Sequence, residues 1–190
     1  MKRLFLSFFG LLTLCACQTL EHAGQKQQTA DAGTSPLFGP PACPPAKITP
    51  DLQEIVEFPD LSNPSPKTEI SRLRIRSVQR HCTYKEEELA VRLDISFDGR
   101  LGPKARIRET DKPSYAFPYF VAVSGPDGNI LAKELFAASV SYGAEENEIS
   151  RTDTITQRMP LNEDGSLPDY TILIGFQLAE EQLAYNRAGK

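Results

Sequence analysis

Apolar and polar residues alternate with a period of two along much of the chain beyond residue 43, most clearly from Leu89 to Phe97. There Leu89, Val91, Leu93, Ile95 and Phe97 hold one parity and Ala90, Arg92, Asp94 and Ser96 the other, the pattern of a strand with one face in a core and one in water. Tyr170, Ile172, Ile174, Phe176 and Leu178 repeat it. From Tyr115 to Val123 the odd positions are aromatic or β-branched, and the turn Ser124 to Asn129 predicts a hairpin into Ile130 to Tyr142, because Pro126 presets one dihedral and Gly128 accepts positive φ. Weaker strands are expected near Leu52 to Phe58, Ala105 to Glu109 and Ile149 to Arg158. Helical signal is confined to the end, where Glu180 and Glu181 precede Arg187 and Lys190 in the order a helix dipole favours. Seven or eight strands without βαβ alternation predict an all-β fold, an antiparallel immunoglobulin-like β-sandwich with one short C-terminal helix; a small closed barrel is the alternative.

The amino end follows a different rule. Lys2 and Arg3 precede Leu4 to Leu14, a stretch made almost wholly of Leu, Phe and small residues, which matches the basic and apolar regions of a secretion signal. That stretch is about half of the roughly 20 residues a membrane-spanning helix needs. It runs straight into Leu14, Cys15, Ala16 and Cys17, which resemble the lipobox of bacterial lipoproteins. The resemblance implies a diacylglycerol on the Cys17 thiol and cleavage after Ala16. Acceptance at Cys15 would set bulky Leu14 beside the cut, where the family has a small residue; Cys15 itself departs from the family's usual Ser, Thr or Ala. An ordinary signal peptide cleaved nearby is the competing reading. Gln18, rather than Asp, after the cysteine implies by the enteric sorting rule the outer membrane, facing the periplasm. Acyl chains at this end would make the membrane a partner through the N-terminal lipid.

On this reading residues 1–16 are the signal, 17–42 a flexible tether and 43–190 one domain. The tether is rich in Gln, Thr, Ala, Gly and Pro with few large apolar side chains, too little to offset ordering. Its length would allow the domain to stand on the order of 25–30 Å from its anchor. With Cys15 removed and Cys17 lipidated, Cys43 and Cys82 remain, and in an oxidising envelope they have one possible pairing; two buried free thiols are the alternative. The formal charge of -4 becomes about -6 without Lys2 and Arg3, which argues against nucleic acid as a partner.

Arg72, Arg74, Arg76 and Arg80 form a basic stripe that either binds an anionic ligand or pairs across strands. Pairing this segment with Leu89 to Phe97 through a Thr83 to Glu87 loop would set Leu73 against Phe97, Ile75 against Ile95, Arg76 against Asp94 and Arg72 against Asp98. That agreement of apolar with apolar and cation with anion favours pairing on a solvated face. The alternation changes phase beyond Ser77, which predicts a bulge that turns Cys82 toward the core.

Catalytic chemistry finds little purchase. The two histidines, His22 and His81, sit in no nucleophile–base pattern, no Cys or His cluster has metal spacing, and no cofactor motif is present. Asn162 to Ser166 lacks the terminal Glu of a calcium loop and reads as a turn. Glu145, Glu146 and Glu148 read as a solvated loop. Tyr115, Phe117 and Tyr119 share the parity of Val121 and Val123 and belong to a core rather than to a sugar-stacking surface, whereas Phe120 beside Pro118 points outward and suggests an edge strand or bulge. Phe117 to Val123 and Gly175 to Arg187 resemble recurring segments of Gram-negative envelope lipoproteins of unknown function. The expectation is therefore a non-enzymatic scaffold that contacts another envelope protein, with Tyr185, Asn186, Arg187, Arg74 and Phe120 as its contact surface. A glycan- or peptidoglycan-binding module is the alternative.

Overall fold

A computed structural model describes residues 43–189. The expected signal, the expected lipidation site Cys17, the expected tether, His22 and Lys190 lie outside the described residues. Strand β4 (Glu88–Leu101) is the clearest consequence of the alternation: Leu89, Val91, Leu93, Ile95 and Phe97 are fully buried, while Arg92 is exposed and Ala90, Asp94 and Ser96 are part-exposed. It lies between β3 (Ser71–Tyr84) and β7 (Glu148–Pro160), with β2 (Glu54–Glu57) on the far side of β3. All neighbours in this sheet, the β4 sheet, are antiparallel.

The facing β5 sheet has the order β1-β8-β5-β6, from β1 (Ala46–Ile48), β8 (Thr171–Phe176), β5 (Ser114–Ser124) and β6 (Ile130–Ser141). The two sheets pack as a β-sandwich. Phe97 of β4 meets Tyr119 of β5 edge to face with centroids 5.2 Å apart and Phe176 of β8 at 6.0 Å. One pairing departs from the antiparallel expectation, since β1 runs parallel to β8. The two strands are far apart in sequence, so no hairpin dictates their relative direction.

The β5–β6 hairpin forms at the predicted place. Gly128 takes φ 79°, and its N–H donates to the Gly125 carbonyl. Pro118 does not mark an edge: β5 is an inner strand, and its bulge lies between Val123 and Ser124. The proline is tolerated because ladder pairing with β8 begins one residue later, at Tyr119.

Ala105 to Glu109 forms no strand. Asp111 Oδ2 accepts the backbone N–H groups of Ile107 and Arg108, diverting donors that a ladder would need. Ile107 is left 97% exposed.

The β3–β4 register also differs from the expected one. Leu73 faces Gly99 and Ile75 faces Phe97, two residues beyond the expected partners, because the turn closes at Lys85, whose N–H donates to the Glu88 carbonyl. A slip of two preserves which face each side chain occupies, so the burial pattern survives. The bulge falls between Ile75 and Ser77, slightly earlier than expected, with Arg76 as the extra residue. Beyond it the inward parity changes to Val78, Cys82 and Tyr84, which pack on the core. Cys82 there bonds Cys43, with Cα atoms 5.8 Å apart. Closing a loop of 39 residues restricts the unfolded chain by roughly 3–4 kcal/mol.

Helix α1 (Glu180–Ala188) follows β8. Gln182, only 6% exposed, joins it to the sandwich: its Oε1 accepts the Ala179 N–H at 3.0 Å, and its Nε2 donates to the Val56 carbonyl at 2.9 Å.

Candidate functional site

Because β2, β3, β4 and β7 each turn alternate side chains outward, their register writes two rows across the outer face of the β4 sheet. One row reads Glu54, Arg74, Asp98 and Ser150; the next reads Val56, Arg72, Arg100 and Glu148. The rows floor an open cavity of ≈ 500 Å³, whose lining includes Arg72, Arg74, Asp98, Arg100 and Glu148. A second cavity of ≈ 350 Å³ shares Glu54, Arg72 and Arg74 and extends to Tyr185 and Asn186 of α1. Together they form a trough that reaches from the helix to β7.

The charges in the trough are unequally matched. Arg72 binds the buried Glu69 carboxylate through two bonds, Nε to Oε1 at 2.7 Å and Nη2 to Oε2 at 2.5 Å, and reaches Glu54 Oε2 at 3.3 Å. Glu69 is 3% exposed. The hydrogen bonds to Glu69 raise the Arg72 pKa, so this guanidinium stays charged. Asp98 is engaged on both oxygens, by Ser150 Oγ at 2.7 Å and Arg76 Nε at 3.6 Å. Among the described residues no carboxylate lies within ion-pair distance of Arg74 or Arg100, and no cation within that distance of Glu148.

The expected contact residues divide. Arg74, Tyr185 and Asn186 meet in the second cavity. Asn186 is nevertheless structural, its Nδ2 donating to the Glu54 carbonyl at 2.7 Å and the Asp51 carbonyl at 3.2 Å. Arg187 Nε pairs with Asp51 Oδ2 at 3.0 Å, and Tyr185 packs edge to face on Phe58 at 4.9 Å. Phe120 belongs to the other sheet and is 9% exposed, covered by Lys133, whose ammonium sits 4.6 Å above the ring. It is not a contact residue of an open surface. Phe117 and Tyr119 are buried in the core as their parity implied.

The expected cross-strand charge pairs take other partners. Arg76 meets Asp98, Arg72 meets Glu54 and Glu69, and Asp94 is shared by Arg92 at 3.2 Å and His81 at 3.5 Å. His81 lines a shallow cavity of ≈ 400 Å³ with Thr83 and Thr156. Its Asp94 partner also accepts from Thr154 Oγ1 at 2.7 Å, which leaves a histidine–carboxylate contact on an open strand face. Asn162 to Ser166 is a tight turn, with Gly165 at φ 76° and the Asn162 N–H on the Ser166 carbonyl. Among the described residues no group of three or more His, Cys, Asp or Glu is placed to hold a metal ion. No family model matches the chain, and neither a curated protein nor a solved structure matches it significantly.

Sequence reading missed Glu54, Glu69, Arg100 and Gln182. For Arg100 a signal existed, because the β4 alternation continues past Phe97 through Asp98 and Arg100 to Leu101. Glu69 lies only three residues before Arg72, but it precedes the strand and no pattern marks its burial.

Proposed function

We propose that the chain is a lipoprotein anchored through Cys17 in the outer membrane and facing the periplasm, whose immunoglobulin-like sandwich holds or scaffolds another envelope protein without catalysing a reaction. The observation that carries this reading is the Cys43–Cys82 bridge. It ties the first described residue to the long strand β3 at Cys82, which is paired with Val91 of β4, so force applied at the amino end enters the sheet rather than peeling off the short β1. Such a staple suits a domain held on a tether, and a disulfide fits an oxidising compartment. Two packed sheets with chain crossings between them after β1, β4, β6 and β7 support the immunoglobulin-like description.

Growth with a labelled fatty acid tests the anchor. Cys17→Ser is expected to abolish incorporation and release the protein from outer-membrane fractions, and a variant that remains labelled removes Cys17 from the reading. Crosslinking in intact envelopes tests the scaffold. A specific protein adduct is expected; retention on purified cell wall with no protein adduct overturns it in favour of glycan binding.

A further inference from the structure

Arg72 and Arg100 stand directly opposite each other on β3 and β4, an arrangement of like charges that costs stability unless something offsets it. Among the described residues the offset goes to Arg72 alone, through Glu54 and Glu69. Arg100 has its nearest register neighbours in Arg72 and Glu148 and pairs with neither. Arg74 sits between Glu54 and Asp98 in its row, and both carboxylates are engaged by other arginines. Among the described residues the trough therefore presents two uncommitted guanidiniums and, beside the second, one uncommitted carboxylate.

Their spacing selects a ligand. Arg74 and Arg100 are diagonal neighbours on an antiparallel pair, with Cα atoms roughly 7–8 Å apart. In an extended peptide, residues two apart point to the same side and lie about 7 Å apart. The acidic groups Glu54, Asp98 and Glu148 are interspersed among the arginines, a charge pattern that disfavours a polyanion and matches single carboxylates set one per free guanidinium.

We propose that this trough seats an extended segment of a partner protein bearing two carboxylates two residues apart, one on Arg74 and one on Arg100, followed by a basic residue on Glu148. The proposal rests on the reading of the domain as a protein-interaction module and names the chemistry of what it holds. The peptide crosses the strands from the α1 side toward β7, and each carboxylate takes paired N–H donors from one guanidinium.

The test uses the full chain in detergent and a fluorescent synthetic peptide with two Glu residues two apart and a following Lys, flanked by Ser and Gly. Saturable binding is expected. It should weaken about tenfold for each guanidinium removed in Arg74→Gln and Arg100→Gln, and by a similar factor when the peptide's Glu residues become Gln. Glu148→Gln should weaken the Lys peptide but not one with Ser in that place. Thermal melting of each variant, still cooperative and little shifted because these side chains are exposed, shows that the fold is retained. Equal binding of Glu and Gln peptides, binding untouched by the double arginine variant, absence of saturable binding, or tighter binding of tripolyphosphate than of the peptide would each overturn the proposal, the last by assigning the trough to phosphates. A photocrosslinker at Ser150, in the trough, and another at Leu135, on the opposite sheet, separate the two levels of inference. Protein adducts at Leu135 alone sink the trough and leave the scaffold standing, whereas adducts at neither position count against both.

Discussion

The outer faces of the two sheets are made of different material and are used differently. Outside the β4 sheet, Arg72, Arg74, Asp98 and Arg100 alternate strictly with core residues, and the face stays open to water. Outside the β5 sheet, Phe120 and Ala122 are buried along with the inward Tyr119, Val121 and Val123, so every residue from Tyr119 to Ser124 is out of solvent. The difference comes from what crosses each face. The 3-10 turn Pro50–Leu52 lies over β8, where the position a Cβ would take on Gly175 is 2.7 Å from the Leu52 Cβ and 3.1 Å from the Phe120 ring. Beyond that cover, Leu131 and Leu135 on the edge strand β6 remain 58% and 63% exposed. A strict alternation thus marks an open face, and a continuous apolar run marks a covered one.

The largest expected effect would break the open face from beneath. Arg72→Ala leaves the buried Glu69 carboxylate without its guanidinium and should cost about 3–5 kcal/mol in urea unfolding. Glu54→Gln, which removes the more exposed partner of the same arginine, should cost less than about 1 kcal/mol. Equal losses from the two substitutions would show that Glu69 finds water or another donor, and that the trough floor is not tied to the core.

On the covered face the corresponding loss is apolar. Phe120→Ala removes a ring packed under Lys133 and against Gly175 and should cost about 3 kcal/mol by thermal or chemical unfolding. A cost below about 1 kcal/mol would mean that the face is open after all, and the distinction between the sheets would fail.

Much of this contrast was legible in the chain. The parity of Leu89 to Phe97 set the inward side of β4, and the phase change expected beyond Ser77, which falls between Ile75 and Ser77, carried the turn of Cys82 toward Cys43. The register was not legible, because a slip of two residues leaves every side chain on its own face and hydrophobic pattern cannot detect it. The cover over Phe120 was hidden for a similar reason: an outward aromatic on a strand looks exposed until another segment, here Leu52, is brought over it by the fold. Tyr185, Asn186 and Arg187 were recognised as a polar tip, but the bonds of Asn186 and Arg187 to Asp51 and Glu54 depend on a 3-10 turn and a strand more than 130 residues earlier.

Where the two sheets meet near the β7 edge, Tyr119 donates its hydroxyl to Asp153 Oδ2 at 3.1 Å, and Arg151 pairs with the same carboxylate. Burial, reinforced by Asp153, raises the Tyr119 pKa, and burial also raises those of Tyr84, Tyr115 and Tyr142. Above the ordinary tyrosine value of 10.0 the unfolded chain releases these protons before the native state does. The unfolded state then binds fewer protons, so stability is full below about pH 10 and falls as pH rises beyond it. Tyr119→Phe should cost about 1–2 kcal/mol at neutral pH through the lost bond to a charged acceptor, and should flatten the alkaline decline. An unchanged slope above pH 10 would place the proton release on the other tyrosines.

The smallest effects sharpen the comparison most, because they ask what each face is for rather than what holds it. Arg100→Gln and Leu135→Ser both alter exposed side chains that make no ion pair or core contact among the described residues. Each should change unfolding free energy by no more than about 0.5 kcal/mol. Arg100→Gln even relieves the repulsion across from Arg72, so a slight gain is the expected sign. An unpaired arginine that can be neutralised without loss has no structural reason to be one, and the same holds for a leucine exposed on an edge strand. If Arg100→Gln instead destabilises the domain by 1 kcal/mol or more, Arg100 is part of the strand network, and the trough has one free guanidinium rather than two. A matching loss at Leu135 would return β6 to the core and leave the β4 sheet as the face with unpaired groups to offer.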